Sequence, residues 1–357
     1  MIELYGWSTE LQNVFAAHAA GHHAPARVIA QHRGLWRLIT ENGEASARLS
    51  GRFQLHATPG EHPAVGDWVV VAPPAGEGDV VIHGVLPRRG VFMRRAAGEE
   101  HAQVVAANVD TAFLVAGMTA DLNLRRLERY LVAARDGGVA PVIVLTKADL
   151  AESVADAVAR VAEIAGGAPV LPVSAVISTG LEELHAMMPA GATVALLGSS
   201  GAGKSTLLNA LSGEVLMTTG AVRADDLRGR HTTRHRELFR LSGGALVIDT
   251  PGMRELGLIA DEEALDATFS DIAALPPCRF SDCSHGGEPG CAVRAALESG
   301  ALSEARWRAY LKLQREVAYS ETRDHPEAEA ARRDRWKQIH KQQRAREKHR
   351  RRNDEKW

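Results

Sequence analysis

Gly198-Ser199-Ser200-Gly201-Ala202-Gly203-Lys204-Ser205-Thr206 is the stretch whose reading decides the fold of this chain. It fits the spacing G-x-x-x-x-G-K-[ST]. The apolar run Ala192 to Leu197 before it reads as a buried strand, and Thr206 to Leu211 after it as a helix. A glycine-rich turn between strand and helix lets backbone N–H groups converge on phosphate oxygens, and the helix N-terminus adds partial positive charge. Lys204 is then expected to reach the β and γ phosphates, and the Ser205 hydroxyl to ligate magnesium. A chance glycine-rich turn does not account for Lys-Ser standing correctly between strand and helix.

Working outward, Asp249-Thr250-Pro251-Gly252 ends the apolar run Ala245–Ile248. An acid at the carboxyl end of such a strand is placed to hold magnesium through water, and the Gly252 amide to sense a γ-phosphate. Thr146-Lys147-Ala148-Asp149 follows the run Val142–Leu145, and Ser174-Ala175 follows Val170–Val173. The Asp149 carboxylate can accept from the N1–H and exocyclic amine of guanine, which adenine does not present. The Lys147 stem can cover the base, and Ser174-Ala175 supplies a backbone contact to guanine O6. These elements favour GTP over ATP. They precede the phosphate loop, whereas ordinary GTPases carry them after it, so the motif order is rotated.

Between the phosphate loop and Asp249 lies Gly229-Arg230-His231-Thr232-Thr233-Arg234-His235, in the place of a switch segment. There a threonine completes magnesium and γ-phosphate coordination. Met253 stands where many GTPases carry a water-orienting glutamine, and methionine cannot do that work. His231 is the nearest candidate by sequence. Without such a residue, nucleotide would act mainly as an affinity switch.

Cys278, Cys283 and Cys291 are the entire cysteine complement and fall within fourteen residues, with His285 among them. An odd, clustered count argues for metal over disulfides. Three thiolates and one imidazole form a closed tetrahedral zinc set of the structural kind. The competing reading is free buried cysteines beside a surface histidine.

At 357 residues the chain is long enough for two or three domains. With 45% hydrophobic and 24% charged residues it has the composition of a soluble globular protein. No apolar run approaches the roughly 18–20 residues needed to span a membrane. The start, Met1-Ile2-Glu3-Leu4-Tyr5, has neither a basic nor an apolar leader region, so a cytoplasmic location is expected. From Arg332 to Lys356, twelve Lys/Arg face four Asp/Glu within a chain whose net charge is −2. A polyanionic partner and a solvated helical tail both fit that basic end.

Residues 1 to about 25 show no strong periodicity. From Ala26 to about Arg95, short β-like runs are separated by Gly and Pro turns, among them Ala26–Ala30, Leu35–Ile39, Asp67–Val71 and Val80–Ile82. That spacing fits a five-stranded OB-like barrel, a fold that often binds nucleic acid. Trp36, Phe53, Trp68 and Phe92 are too sparse for a stacking platform and read as core. From Val104, strands alternate with helices, which implies a parallel sheet covered on both faces. After about Asp261 the text is helical. The expected architecture is therefore multidomain. Residues 1–98 hold an all-β OB-like barrel, 99–260 a circularly permuted α/β P-loop GTPase domain, and 261–357 a zinc-binding helical module with a basic tail.

With these motifs in this order, the chain resembles the circularly permuted bacterial family called ribosome small subunit-dependent GTPase A. The resemblance rests on the barrel, Thr146–Asp149, Ser174-Ala175, Gly198–Ser205, Gly229–Thr233, Asp249–Gly252 and the Cys-Cys-His-Cys set. It implies late action in assembly of the small (30S) ribosomal subunit and binding to particles containing 16S rRNA. It also implies GTP hydrolysis that stays weak until the subunit stimulates it. The family's Gly-Arg-His-Thr-Thr motif places His231 in hydrolysis and Thr232 or Thr233 as the switch threonine. Arg234 stands where the family commonly has a third threonine. A monomer with no membrane contact is expected. The alternative is an RNA-binding assembly chaperone in which GTP and GDP mainly set affinity.

Overall fold

The structure is a computed structural model describing residues 1–19, 21–32, 34–72, 78–94, 103–119, 122–216, 236–250 and 260–324. Near the N-terminus, β1 (Ala24–His32), β2 (Leu35–Thr40), β3 (Gly43–Leu49), β4 (Trp68–Ala72) and β5 (Val80–Val85) close on themselves. The pairing runs β1–β2–β3–β5–β4 and back to β1, with β3 and β5 parallel. This is the OB-like barrel expected from the sequence. The run Trp68-Val69-Val70-Val71 is apolar throughout because both of its faces are covered. Val69 and Val71 fill the barrel with Val28, Leu38 and Ile82, while Trp68 and Val70 point outward into the central core. Trp36, Trp68 and Phe92 are buried, as core residues should be.

Three elements differ from the sequence reading. The lead-in contains α1 (Thr9–His18), capped by the Ser8 side chain; it buries only Leu11 and Phe15, too few to show a period. Strand β3, Gly-Glu-Ala-Ser-Ala-Arg-Leu, has almost no apolar signal and is held by its ladder. A hairpin of β6 (Val91–Arg94) and β7 (Gln103–Ala107) stands between barrel and sheet. The short helix α2 (Gly51–His56) links β3 to β4.

The central sheet contains β8 (Thr111–Gly117), β9 (Ala140–Thr146), β10 (Val170–Pro172), β11 (Thr193–Gly198), β12 (Glu237–Arg240) and β13 (Leu246–Asp249). Their spatial order is β10-β9-β8-β11-β13-β12. All neighbours are parallel except β12, which runs antiparallel to β13 and also pairs with β1 at Ala30↔Glu237. The expectation of a wholly parallel sheet is corrected there: four residues of mixed character between loops carry no readable alternation. Around the sheet lie α3 (Leu124–Asp136), α4 (Val154–Ala162), α5 (Leu181–Ala186) and α6 (Lys204–Ser212). α3 begins at Leu124 and is capped by Asn123, whose side chain accepts from Arg126 N at 3.1 Å.

Arg27 of β1 ties barrel to sheet. Its Nη2 donates to Thr193 Oγ1 at 2.7 Å, its Nε to Gly66 O at 3.3 Å and its Nη1 to Tyr5 O. Thr193 opens β11, the strand that leads to the phosphate loop, and its N–H donates to Asp110 Oδ2 at 2.7 Å. Burial pushes the Arg27 guanidinium down to about 10, with Asp110 and Asp67 opposing, so it stays charged at neutral pH.

The C-terminal part is helical: α7 (Glu262–Thr268), α8 (Ser270–Ala273), α9 (Ala292–Ser299) and α10 (Glu304–Asp324). Their core, with Leu265, Phe269, Val293 and Leu313, includes Val132 from the outer side of α3. Glu128 of α3 is fully buried and accepts from Arg306 Nη1 at 2.8 Å. The same guanidinium reaches Asp271 Oδ1 at 2.7 Å and lies 4.0 Å over the Phe269 ring. Buried pairs of this kind give orientation more than net stability, since desolvation offsets much of the attraction. They dock the helices on α3 in one register, and Asp261 N adds a bond to Asp136 Oδ1 at 2.9 Å. None of the described helices is long and apolar enough to cross a membrane.

Candidate nucleotide site and metal centre

Gly198, Thr146, Pro172 and Asp249 end parallel neighbours β11, β9, β10 and β13 along one edge of the sheet. Open α/β sheets bind ligands at that edge. Gly198 lies so close to β8 that a Cβ would stand 2.4 Å from Val115 O, so no larger residue fits. Helix α6 starts at Lys204, two residues earlier than the sequence reading, with Gly203 as its cap at φ 90. The Lys204 ammonium donates to Gly198 O at 2.8 Å and Ser199 O at 2.9 Å, which places it across the loop mouth. Ser205 and Thr206 follow in the first turn, with Thr206 exposed.

The strand end that carries Thr146–Asp149 touches the phosphate loop through Thr146. Thr146 Oγ1 donates to Ala202 O at 2.6 Å, tying the end of β9 to the loop. Lys147 adopts the left-handed conformation at φ 61, uncommon for a side chain with a Cβ and frequent at functional sites. Its stem runs beside Gly117, where an added Cβ would meet Lys147 Cδ at 3.4 Å. Asp149 is exposed, and its Oδ1 accepts from Ser174 Oγ at 2.5 Å. Ser174 is itself buried and pairs with Thr179 through both backbone bonds at 3.0 Å, so Asp149 is oriented from a fixed loop. Sequence reasoning gave Ser174-Ala175 a backbone role alone; the hydroxyl contact to Asp149 is additional.

Asp249 is buried at 6% exposure, and its Oδ1 has no hydrogen-bond partner among the described residues. Burial raises its carboxyl above the usual range, and the Lys204 charge works against that rise. A buried, unpartnered carboxylate oxygen near an ammonium and a phosphate loop suits a hydrated divalent cation. Beside it, Thr250 Oγ1 donates to Leu196 O at 2.7 Å and fixes the end of β13 to β11. His231, Thr232, Thr233 and Gly252 lie outside the described residues, as do Met253 and the basic tail.

In the loop between α8 and α9, the ligand atoms of Cys278, Cys283, His285 and Cys291 all lie within 4.8 Å of one another and could hold a metal ion. His285 Nδ1 is 3.6, 3.7 and 3.4 Å from the sulfurs of Cys278, Cys283 and Cys291, and Cys278 Sγ is 4.0 Å from Cys291 Sγ. A tetrahedron with zinc–sulfur and zinc–nitrogen bonds of about 2.3 and 2.0 Å has edges of about 3.8 and 3.6 Å, so the set fits. Ala292 N donates to Cys278 Sγ and Arg294 N to Cys291 Sγ, each at 3.4 Å. The first of these leads the lowering of the Cys278 thiol toward the thiolate a metal needs. Trp307 of α10 meets the His285 ring edge-on at 5.5 Å. That support was not read from the sequence, where its only sign is the aromatic pair Trp307 and Tyr310 on one helix.

Fold and site together define a P-loop GTPase whose guanine-side strands precede its phosphate loop. A family model described as RsgA GTPase matches residues 85–259. A protein of Opitutus terrae named Small ribosomal subunit biogenesis GTPase RsgA is 50% identical over 356 residues, 96% of this chain and 97% of that one. One of the same name from Xanthomonas axonopodis pv. citri is 47% identical over 317 residues, 86% of this chain and 84% of its own. Among solved structures, YjeQ from Thermotoga maritima aligns with a TM-score of 0.61 at 28% identity, covering 83% of this chain and 99% of that one. YloQ, described as a circularly permuted GTPase, aligns at 0.57 and 27% identity over 84% and 97%. This chain belongs to the RsgA GTPase family and is a GTP hydrolase.

Proposed function

We propose that this protein hydrolyses GTP in response to the small (30S) ribosomal subunit and acts late in that subunit's maturation. The observation that carries the site assignment is the convergence of Lys204, Thr146, Asp149 and Asp249 on one sheet edge, with Asp249 Oδ1 unpartnered among the described residues. Support for the ribosomal role is the name borne by a relative half identical along nearly the whole chain.

In this reading Asp149, steadied by Ser174, recognises guanine with the Ala175 backbone nearby, and Lys147 covers the base. The amides of Gly198 to Thr206 and the Lys204 ammonium hold the phosphates. Ser205 and Asp249 would hold magnesium, which when bound would neutralise charge on the phosphate oxygens. Water attacks the γ-phosphorus, the bond to the β–γ bridging oxygen breaks, and GDP and phosphate leave. Catalysis is then positional and electrostatic. His231 orders the water, Thr232 or Thr233 would add a ligand to the magnesium, and the Gly252 amide senses the γ-phosphate. The Cys278, Cys283, His285 and Cys291 set would hold one structural zinc per chain. The basic tail and the barrel face 16S rRNA, and the protein works as a cytoplasmic monomer without membrane contact. The division at residues 98 and 260 stands as part of this proposal.

Met253 favours a second reading, an RNA-binding chaperone in which nucleotide mainly sets affinity. Single-turnover hydrolysis with and without purified small subunits separates the two. We expect stimulation of about 100-fold or more for the wild type, and its loss in His231→Ala, given what positioned groups contribute to phosphoryl transfer. A wild-type rate unchanged by subunits would favour the chaperone.

A further inference from the structure

A single row of residues crosses the sheet from the barrel to Asp249. Arg37 in β2 stands opposite Ala30 in β1, Ala30 opposite Glu237 in β12, and Glu237 opposite Asp249 in β13. A bulge in β1 between Val28 and Ala30 sets this register; without it Ile29 would stand opposite Arg37. Residues in one cross-strand row share a face of the sheet. Ala30 contributes only a methyl, so the Arg37 side chain lies across it and donates from Nη1 to Glu237 Oε1 at 3.1 Å. Its Nη2 donates to Glu44 Oε2 at 2.6 Å, so one planar guanidinium binds acids from β3 and β12 at once.

Glu237 sits at a mechanical junction. It begins β12, and its backbone pairs with β1 on one side and β13 on the other. Its carboxylate also shares a row with that of Asp249. Neighbouring like charges in such a row repel or compete for one cation. The Arg37 cation offsets the charge of Glu237 and draws it toward the barrel, leaving Asp249 as the acid open to magnesium.

We infer that Arg37 and Glu237 are positioning residues for GTP hydrolysis, fixing the start of β12 to the barrel and holding the Glu237 carboxylate away from Asp249. This rests on the reading of Asp249 as the magnesium acid. Through the pair, displacement of β2 by a partner on the barrel reaches the nucleotide edge without any contact to GTP.

The test is a charge swap in the full chain. Arg37→Glu, Glu237→Arg and the double reversal are assayed for kcat, for KM of GTP and for the magnesium concentration giving half-maximal rate. Thermal unfolding is followed alongside. Each single reversal is expected to lower kcat about fivefold and raise the magnesium requirement; with Glu44→Gln added, since Glu44 also faces position 37, the double reversal is expected to restore both to within about twofold, a coupling of ordinary size for interacting neighbours. Arg37→Gln and Glu237→Gln, which remove charge without reversing it, should show the same direction if a reversal is not tolerated by the fold. Folded single variants with wild-type kcat and magnesium requirement would overturn the inference. So would a folded double reversal no better than the worse single. Asp249→Asn is measured in parallel: if it changes neither parameter, the magnesium reading of Asp249 fails, while the swap still reports whether the pair positions β12.

Discussion

Lys204→Ala is expected to lower single-turnover GTP hydrolysis by about 100- to 1000-fold, the usual cost of removing a preorganised donor from developing charge. The side chain starts the first turn of α6 and is held over the loop by Gly198 O and Ser199 O. Its loss removes a cation from the phosphates and also the charge that opposes the burial-driven rise of the Asp249 carboxyl. Both changes act in one direction, because a protonated Asp249 is a poorer partner for magnesium. GTP affinity should fall as well, since the Lys204 charge meets the phosphates in the ground state. Equilibrium binding and single-turnover rates at saturating GTP check the two effects. Wild-type rates in a folded Lys204→Ala protein would remove the lysine from the mechanism.

Metal removal is expected to have the second largest effect, and on a different part of the molecule. The helices around Cys278 to Cys291 bury few large side chains beyond Leu265, Phe269, Leu302, Leu313 and Val317. Structural zinc in small modules supplies about 10 kcal/mol or more of binding free energy that doubles as folding free energy. Cys291 matters twice, as a ligand candidate and as the cap of α9 through Arg294 N. Cys291→Ala should therefore reduce bound zinc from one per chain to less than about a tenth of that. Amide-exchange protection should collapse across residues 260–313 and persist in β11, which belongs to a separate core. Metal analysis with exchange mass spectrometry reads both outcomes. Full protection of 260–313 in a metal-free Cys291→Ala protein would show that the helices fold without the ion.

The legible features were those in which chemistry is local. The phosphate loop, Thr146–Asp149, Ser174-Ala175 and Asp249 each follow a short apolar strand, so the sheet had to bring them to one edge. The cysteine set needed only fourteen residues of chain. The barrel was legible from its turn spacing, because five strands of this length can close on themselves. What could not be read were contacts between distant parts of the chain whose residues are individually ordinary. Arg37 and Glu237 lie 200 positions apart, and Glu128 and Arg306 lie 178 apart. No periodicity announces such pairs. Strand β12 escaped for a related reason: Glu-Leu-Phe-Arg becomes a strand because β13 and β1 offer it ladders on both sides.

These distant contacts give the rotated motif order a physical sense. Asp249 ends a strand whose sequence continues toward the helices flanking the Cys278–Cys291 set, and those helices are docked on α3. Barrel, nucleotide edge and metal centre are therefore joined through named side chains: Arg27 and Arg37 on one side, Glu128 and Arg306 on the other.

The most direct measurement is the single-turnover rate of GTP hydrolysis with and without purified small ribosomal subunits, at fixed salt and magnesium. The account predicts stimulation of about 100-fold or more, within what positioned groups contribute to phosphoryl transfer. A rate unchanged by subunits would contradict it.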